Sequence, residues 1–178
     1  MEYDLSFPTI SLILAYVVAC YCVDQCITPP NPAPSANKEY SGDTMQIVHK
    51  LQYIKPVAYV LWLTLFCLLI FPHNRSSFCL NPDLLNEEFL YWNKTNVIYL
   101  VVVYMAAISR MAAYAQLGPN FTYRLATPSG LIKTGFYAYV QHPSYTALLT
   151  IASANGFYML RFDSPLACVL PRSIVMAP

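Results

Sequence analysis

Residues 5–23 read LSFPTISLILAYVVACYCV, an uncharged run bounded by Asp4 and Asp24. Its length is close to the roughly 20 apolar residues that carry an α-helix across a bilayer. A cleavable leader calls for a positive start and a small-residue cleavage site. This run instead follows Glu2 and Asp4 and ends at Cys22-Val-Asp-Gln25, so the expectation is an uncleaved anchor. Beyond it, Thr28-Pro-Pro-Asn-Pro-Ala-Pro-Ser35 cannot be helical, because its prolines lack N–H donors and bias the preceding residues to extended backbone. From Met45 to Lys55, the spacing of Val48, Leu51 and Ile54 beside Lys50 and Lys55 predicts a short helix lying at the interface. A second, short span starts near Ile54 or Val57 and stops at Phe71, before Pro72 and the polar stretch His73 to Ser77. A polar loop reaches to Asn96; the third span, Val97 to Leu117, is apolar except at Ser109 and Arg110, and a fourth apolar run extends from Ser144 to Leu160.

The whole composition agrees with that pattern. Of 178 residues, 57% are hydrophobic and 11% charged, against about a quarter charged in an ordinary soluble domain. Mean hydropathy is +0.42. Ten Lys+Arg against nine Asp+Glu leave a net charge of +1, which gives no electrostatic footprint for a phosphate backbone and excludes nucleic-acid binding as a primary role. Fourteen prolines, five glycines and no short-period repeat exclude collagen-like, solenoid and propeller architectures. The fold class predicted is all-α: a polytopic membrane helix bundle with about four transmembrane helices, the whole chain forming a single membrane domain.

Cysteine usage points away from disulfides. Cys20, Cys22 and Cys67 lie inside apolar runs and Cys26 at the edge of one, with a spacing that matches neither a metal site nor a secreted framework. They read as small hydrophobes, and Cys79 stands apart in a polar loop. No metal is expected.

Arg110 lies about 10 Å along the helix from the end of the third span. It either snorkels to the interface or faces inward to a polar cavity. If the loops alternate, Lys38, Lys50, Lys55, Arg124 and Lys133 share one side, and Arg75, Lys94, Arg161 and Arg172 the other. This small excess, with Arg110 nearer the first group, favours that group as cytoplasmic. The sequons Asn74-Arg-Ser76 and Asn93-Lys-Thr95 then fall on the lumenal side, and a third sequon at Asn120 does not.

The stretch richest in chemistry joins spans three and four. It runs Leu117-Gly-Pro-Asn-Phe-Thr122 and then Leu131-Ile-Lys-Thr-Gly-Phe-Tyr-Ala-Tyr-Val-Gln-His-Pro-Ser-Tyr145. His142-Pro143 stands at the entrance of a predicted helix. Proline is pre-organised for a first helical turn, whose free amides suit an anionic group such as a cofactor carboxylate. The alternative is a solvated histidine in a structural loop.

At these residues the sequence resembles the isoprenylcysteine carboxyl methyltransferase family over residues 97–170. The matching positions are Leu117, Gly118, Asn120 and Phe121, then Gly135 and Tyr137, then His142, Pro143, Ser144 and Tyr145. The resemblance implies S-adenosylmethionine as cofactor, a prenylated protein C-terminus as acceptor and the endoplasmic reticulum membrane as location. It implies a cofactor site at Gly135, Tyr137, Gln141, His142, Pro143 and Tyr145, with Asn120 and Phe121 lining the junction to substrate. Arg124 is the expected partner of the acceptor carboxylate, since an arginine fork suits bidentate pairing, with Arg110 as the other candidate.

This chain departs from the family pattern at Gln141, where arginine is usual, at Ala147, where glycine is usual, and at Ser129, where histidine is usual. The pattern continues into a second hairpin helix and a tandem-glutamate tail. Here Pro165 opens a partial fifth helix that Pro171-Arg-Ser173 interrupts, and Glu87-Glu88 lie in another loop. Impaired catalysis is the expectation for the chain as it stands. Two further readings stay open: a methyltransferase acting on a small lipophilic metabolite, and a non-catalytic family member.

Overall fold

A computed structural model describes residues 6–28, 30–31, 55–121 and 132–176. Its helices are α1 (Phe7–Ile27), α2 (Lys55–Ile70), α3 (Arg75–Phe78), α4 (Lys94–Leu117), α5 (Pro143–Met159), α6 (Leu166–Val169) and α7 (Arg172–Val175). Short 3-10 turns at Pro72–Asn74, Glu87–Leu90, Gly118–Asn120 and Gly135–Ala138 complete it, and no strand occurs among the described residues. The interfacial helix expected at Met45 to Lys55 lies almost wholly outside the described residues, as does most of the proline-rich loop.

α1 carries no amphipathic pattern, yet it buries a definite seam. Leu12, Tyr16, Ala19, Val23 and Cys26 are covered, while Leu14, Val17, Val18 and Tyr21 on the other faces are exposed. The buried positions alternate in steps of four and three, the helix–helix register. A helix apolar all round with only one face packed is built to meet lipid on the rest. α4 follows the same rule. Its N-cap is Asn93, whose Oδ1 accepts from the Asn96 backbone N–H at 2.9 Å, which satisfies one of the orphan amides of the first turn. It ends at Gly118, whose φ of +52° and ψ of −127° turn the chain sharply.

α4 packs most extensively against α5 and next against α1. Ala106, Ala107 and Ala113 on α4 and Ala147 on α5 are buried in these contacts, and small side chains of this kind let membrane helices approach closely. The directions alternate. Arg110, late in α4, meets Ser144 at the start of α5 and Cys26 at the end of α1, whereas Tyr99, early in α4, donates to Asn155 late in α5. Lys55 at the start of α2 pairs with Asp24 at 2.9 Å near the end of α1. The bundle therefore has two ends, one gathering the α1 and α4 C-termini with the α2 and α5 N-termini.

Toward its other end the bundle is closed by tyrosines. Tyr158 stacks on Tyr99 with ring centroids 3.9 Å apart and meets Phe89 edge-on at 4.8 Å. The Tyr158 hydroxyl donates to Asn96 Oδ1 and shares a hydrogen bond with the Tyr16 hydroxyl. Asn96 Nδ2 in turn donates to the Glu88 and Tyr91 carbonyls, each at 2.8 Å. Every link in this buried chain is satisfied, as a low-dielectric interior demands.

Two findings bear on the sequence-based expectations. α1 and the helix through Lys94–Asn120 are long and apolar enough to span a membrane, and a third span arises if α2 and the Pro72–Phe78 segment, bent by 115°, count as one. α5, at 17 residues, is shorter. The segment expected to hold a partial fifth helix carries two short helices, α6 and α7, of four residues each, and Pro171 between them cannot donate to a continuing ladder. Second, Cys79 is disulfide-bonded to Cys168. The two stand 89 residues apart in sequence, so no local spacing announced them.

Around that bond the loop after α2 and the C-terminal segment form a cap over the far end of the bundle. Asn81 Nδ2 donates to the Ala167 carbonyl at 2.7 Å and the Leu170 carbonyl at 2.9 Å, and the Asn86 N–H donates to the Asp163 carbonyl at 2.8 Å. Asp163 pairs with Arg161 at 2.6 Å. Burial opposes its ionisation, but hydrogen bonds from Arg161 and Asn86 outweigh this and hold its carboxyl below the ordinary range. A lowered carboxylate pKa adds stability above its unfolded value and loses it as pH falls through the folded one. The cap is thus expected to loosen on acidification below the ordinary carboxylate range, and the effect should vanish in Asp163→Asn, as read by hydrogen exchange of residues 79–90.

The cap also engages Asn93, whose Nδ2 donates to the Glu88 and Tyr91 carbonyls. A glycan on that nitrogen would displace these bonds, so the Asn93 sequon is occupied by the fold in a way its spacing does not reveal.

Candidate functional site

At the other end of the bundle, the last turns of α4 and the first turn of α5 enclose a cavity of about 120 Å³. Arg110, Asn120, Phe121, Tyr137, His142 and Tyr145 line it, with Leu117 and Ser144 completing the wall. Six of the residues singled out from sequence therefore converge on one space although they span four segments of chain. Gly135, Gln141 and Pro143 do not line it, and Arg124 lies outside the described residues.

Arg110 forms the floor. It is only 1% exposed, so it does not snorkel; the inward-facing alternative is the one observed. Its Nε donates to the Cys26 carbonyl at 2.7 Å, and one terminal nitrogen donates to the Ser144 carbonyl at 2.6 Å and the Ser144 hydroxyl at 2.8 Å. The guanidinium also lies over the Tyr114 ring, 4.9 Å from its centroid, a favourable cation–π placement. Tyr114 donates to the same Cys26 carbonyl at 2.7 Å. One side chain thus joins α1, α4 and α5 at the depth where the cavity begins.

The walls are aromatic. His142 is the N-cap residue of α5, with Pro143 next to it, and the His142 and Tyr145 rings meet edge-on at 5.7 Å. Proline here lacks only an N–H that the helix would leave unpaired in any case. Burial pushes the Tyr137 phenol above its ordinary value, with Arg110 opposing and Tyr145 adding to the shift. Tyr137 is accordingly a neutral hydroxyl at physiological pH.

A second space lies beside the first. An open groove of about 410 Å³ runs along α4 and α5, walled by Val102, Met105, Ala106, Phe136, Val140 and Ala147, with Pro143, Thr146 and Thr150 on its α5 side and Ser109 on α4. The turn Gly135–Ala138 divides the two spaces: Phe136 lines the apolar groove and Tyr137, next in sequence, lines the polar cavity. Pro143 lines the groove and not the cavity.

Residues beyond the sequence-derived set also build the site. Asn31 Nδ2 donates to the Gly118 and Phe121 carbonyls, each at 2.7 Å, clamping the turn that carries Asn120. Gln116 Oε1 accepts from the Phe136 N–H at 2.9 Å. Neither stands in a motif, and both contacts join distant segments. Among the described residues no group of three or more His, Cys, Asp or Glu converges as a metal site would require.

Fold and site together define a helical membrane-type protein with a polar cavity at a helix entrance and an apolar groove alongside. Residues 97–176, a little under half of the chain, match the model of the isoprenylcysteine carboxyl methyltransferase (ICMT) family. No curated protein and no solved structure matches the chain.

Proposed function

We propose that this protein transfers the methyl group of S-adenosylmethionine to the C-terminal carboxylate of a prenylated cysteine. The observation that carries the proposal is the adjacency of the two spaces: a polar, aromatic-walled cavity and an apolar groove share the first turn of α5 and the Gly135–Ala138 turn. A donor soluble in water and an acceptor soluble in lipid need such a junction.

The cavity fits the cofactor in kind. Tyr137, His142 and Tyr145 offer the aromatic faces that attract a sulfonium cation, and Asn120 and Ser144 offer polar contacts. In size, about 120 Å³ accommodates part of a molecule whose pocket would ordinarily exceed ~300 Å³. When bound, S-adenosylmethionine supplies an electrophilic methyl group. The chain's own task is to orient and to exclude water. An α-carboxylate, with a reference pKa of ~3.5, is ionised at neutral pH and needs no general base. Such a methyl group would pass from sulfur to a carboxylate oxygen, giving an ester and a neutral thioether. Opposite charges are consumed together, so a dry site that strips water from the carboxylate accelerates the step. In this proposal Gln141 and Pro143 shape the cofactor site from behind the cavity wall, and Arg124 pairs with the acceptor carboxylate. Arg110 holds the floor.

The four helices α1, α2, α4 and α5 are proposed to cross the endoplasmic reticulum membrane as one multi-pass unit. Their alternating directions support this, as does the disulfide at the end opposite the cavity, since such bonds persist in oxidising compartments. That end would be lumenal and the cavity cytosolic.

Two substitutions separate the parts. His142→Ala is expected to weaken S-adenosylmethionine binding without altering membrane insertion; equal affinity in variant and parent would reduce the motif to a loop. Thr146→Trp, on the exposed wall of the groove, is expected to lower turnover of a farnesylated cysteine about tenfold or more while cofactor affinity holds, because misplacing a reacting group by about 1 Å can cost 10²-fold. Unchanged turnover would remove the groove from the acceptor path.

A further inference from the structure

Gln116 and Gly135 form a contact that neither the family motif nor the proposed chemistry uses. Gln116 stands in the last turn of α4 and Gly135 opens the turn Gly135–Ala138. Gly135 has φ +60°, and a Cβ there would come within 2.6 Å of the Gln116 carboxamide carbon. Beside that close approach, Gln116 Oε1 accepts from the Phe136 N–H at 2.9 Å. The carboxamide thus lies flat on the one face of the turn that a side chain would occupy. The left-handed backbone favours glycine here, and a side chain would in addition have to displace the Gln116 carboxamide.

The turn is otherwise closed on itself. The Tyr137 N–H donates to the Thr134 carbonyl at 3.2 Å, and the Tyr139 and Val140 N–H groups donate to the Phe136 carbonyl at 3.1 and 2.9 Å. Those bonds set its shape and not its place. Its place matters, because Phe136 walls the apolar groove and Tyr137 walls the polar cavity. A rotation of the turn about its own axis would move both walls at once.

We propose that Gln116 is a positioning residue: its carboxamide latches the Gly135–Ala138 turn to α4 and thereby sets where Tyr137 meets the cofactor. This rests on the reading of the cavity as an S-adenosylmethionine site. Gln116 lines neither the cavity nor the groove and acts through the Phe136 backbone amide. The latch needs an oxygen acceptor at that position, not an amide as such. A carboxylate in its place retains the acceptor, and the aliphatic side chain of leucine does not.

The test uses the full chain in lipid nanodiscs, with Gln116→Leu, Gln116→Glu, Gly135→Ala and the double variant Gln116→Leu/Gly135→Ala. Two measurements are made: hydrogen exchange of the Phe136 amide without cofactor, and equilibrium binding of S-adenosylmethionine. Gln116→Leu should accelerate the exchange and weaken binding roughly tenfold, the scale of one supporting hydrogen bond, while Gln116→Glu should stay near the parent in both. Gly135→Ala should resemble Gln116→Leu, because its methyl group expels the carboxamide, and the double variant should lose less than the product of the single effects. Parent-like exchange in Gln116→Leu would overturn the latch. Faster exchange with unchanged affinity would overturn its positioning role. A parent chain that binds no S-adenosylmethionine would refute the function proposed above, and the exchange measurement would then decide the latch alone.

Discussion

Arg110→Ala is expected to destabilise the protein by about 3 kcal/mol and to abolish measurable S-adenosylmethionine binding. The stability loss has a definite source. Removing the guanidinium leaves the Ser144 carbonyl and hydroxyl without the donor that now serves both at 2.6 and 2.8 Å, and buried acceptors left unsatisfied cost about 1–3 kcal/mol each. The Cys26 carbonyl is partly protected, since Tyr114 also donates to it. A void under the Tyr114 ring adds to the loss. The cofactor effect follows from position, because the cavity floor and the N-terminus of α5 are held by the same side chain. Arg110→Lys should recover part of the stability, since one ammonium can serve Ser144 or Cys26 but cannot fork between α1 and α5. Thermal unfolding in detergent and cofactor binding measure the two effects separately. Parent-like unfolding of Arg110→Ala would show that the three-helix tie is not what holds this end of the bundle together.

The second large effect is expected at the Cys79–Cys168 bond. Cross-linking positions 89 residues apart would by chain entropy alone stabilise a freely unfolding chain by about 4.6 kcal/mol. Membrane helices remain inserted when their packing is lost, so the unfolded chain is already restricted and roughly 2–3 kcal/mol is the better expectation for Cys168→Ser. The loss should concentrate in the cap, where Asn81 and Asn86 bridge to residues 163–170, and spare cofactor binding at the opposite end. Orientation is tested by the same pair. In sealed microsomes a membrane-impermeant reductant followed by a thiol label should leave Cys79 and Cys168 unlabelled until the bilayer is permeabilised. Labelling in sealed vesicles would place the cap in the cytosol and invert the proposed topology.

Sequence alone was enough for the helical class and the membrane character, because both follow from composition and from uncharged runs read locally. α1 begins and ends within a few residues of the run at 5–23, since the only requirement was apolar length. α4 likewise coincides with the third span. The motif residues Asn120, Phe121, Tyr137, His142 and Tyr145 were legible as a group through their family resemblance, and the fold brings them to one cavity. What motif spacing does not express is which space each residue faces: Pro143 walls the groove, while its neighbours His142 and Ser144 line the cavity.

Tertiary structure decided the remainder. Arg110 had two open fates from sequence, and only the arrival of the α1 C-terminus and the α5 N-terminus beside α4 gave its donors buried acceptors and settled it inward. Cys79 and Cys168 looked like unrelated thiols until the loop after α2 folded onto the C-terminal turns. Gln116 and Asn31 carry no signal at all in a single chain, because their partners are backbone groups of remote segments, and a backbone amide looks the same at every position in a sequence. Hydrophobic length is a property of a segment and is written in that segment. The pairing of a polar group is a property of two segments, and it comes into being only when packing brings the two within reach of each other and away from solvent.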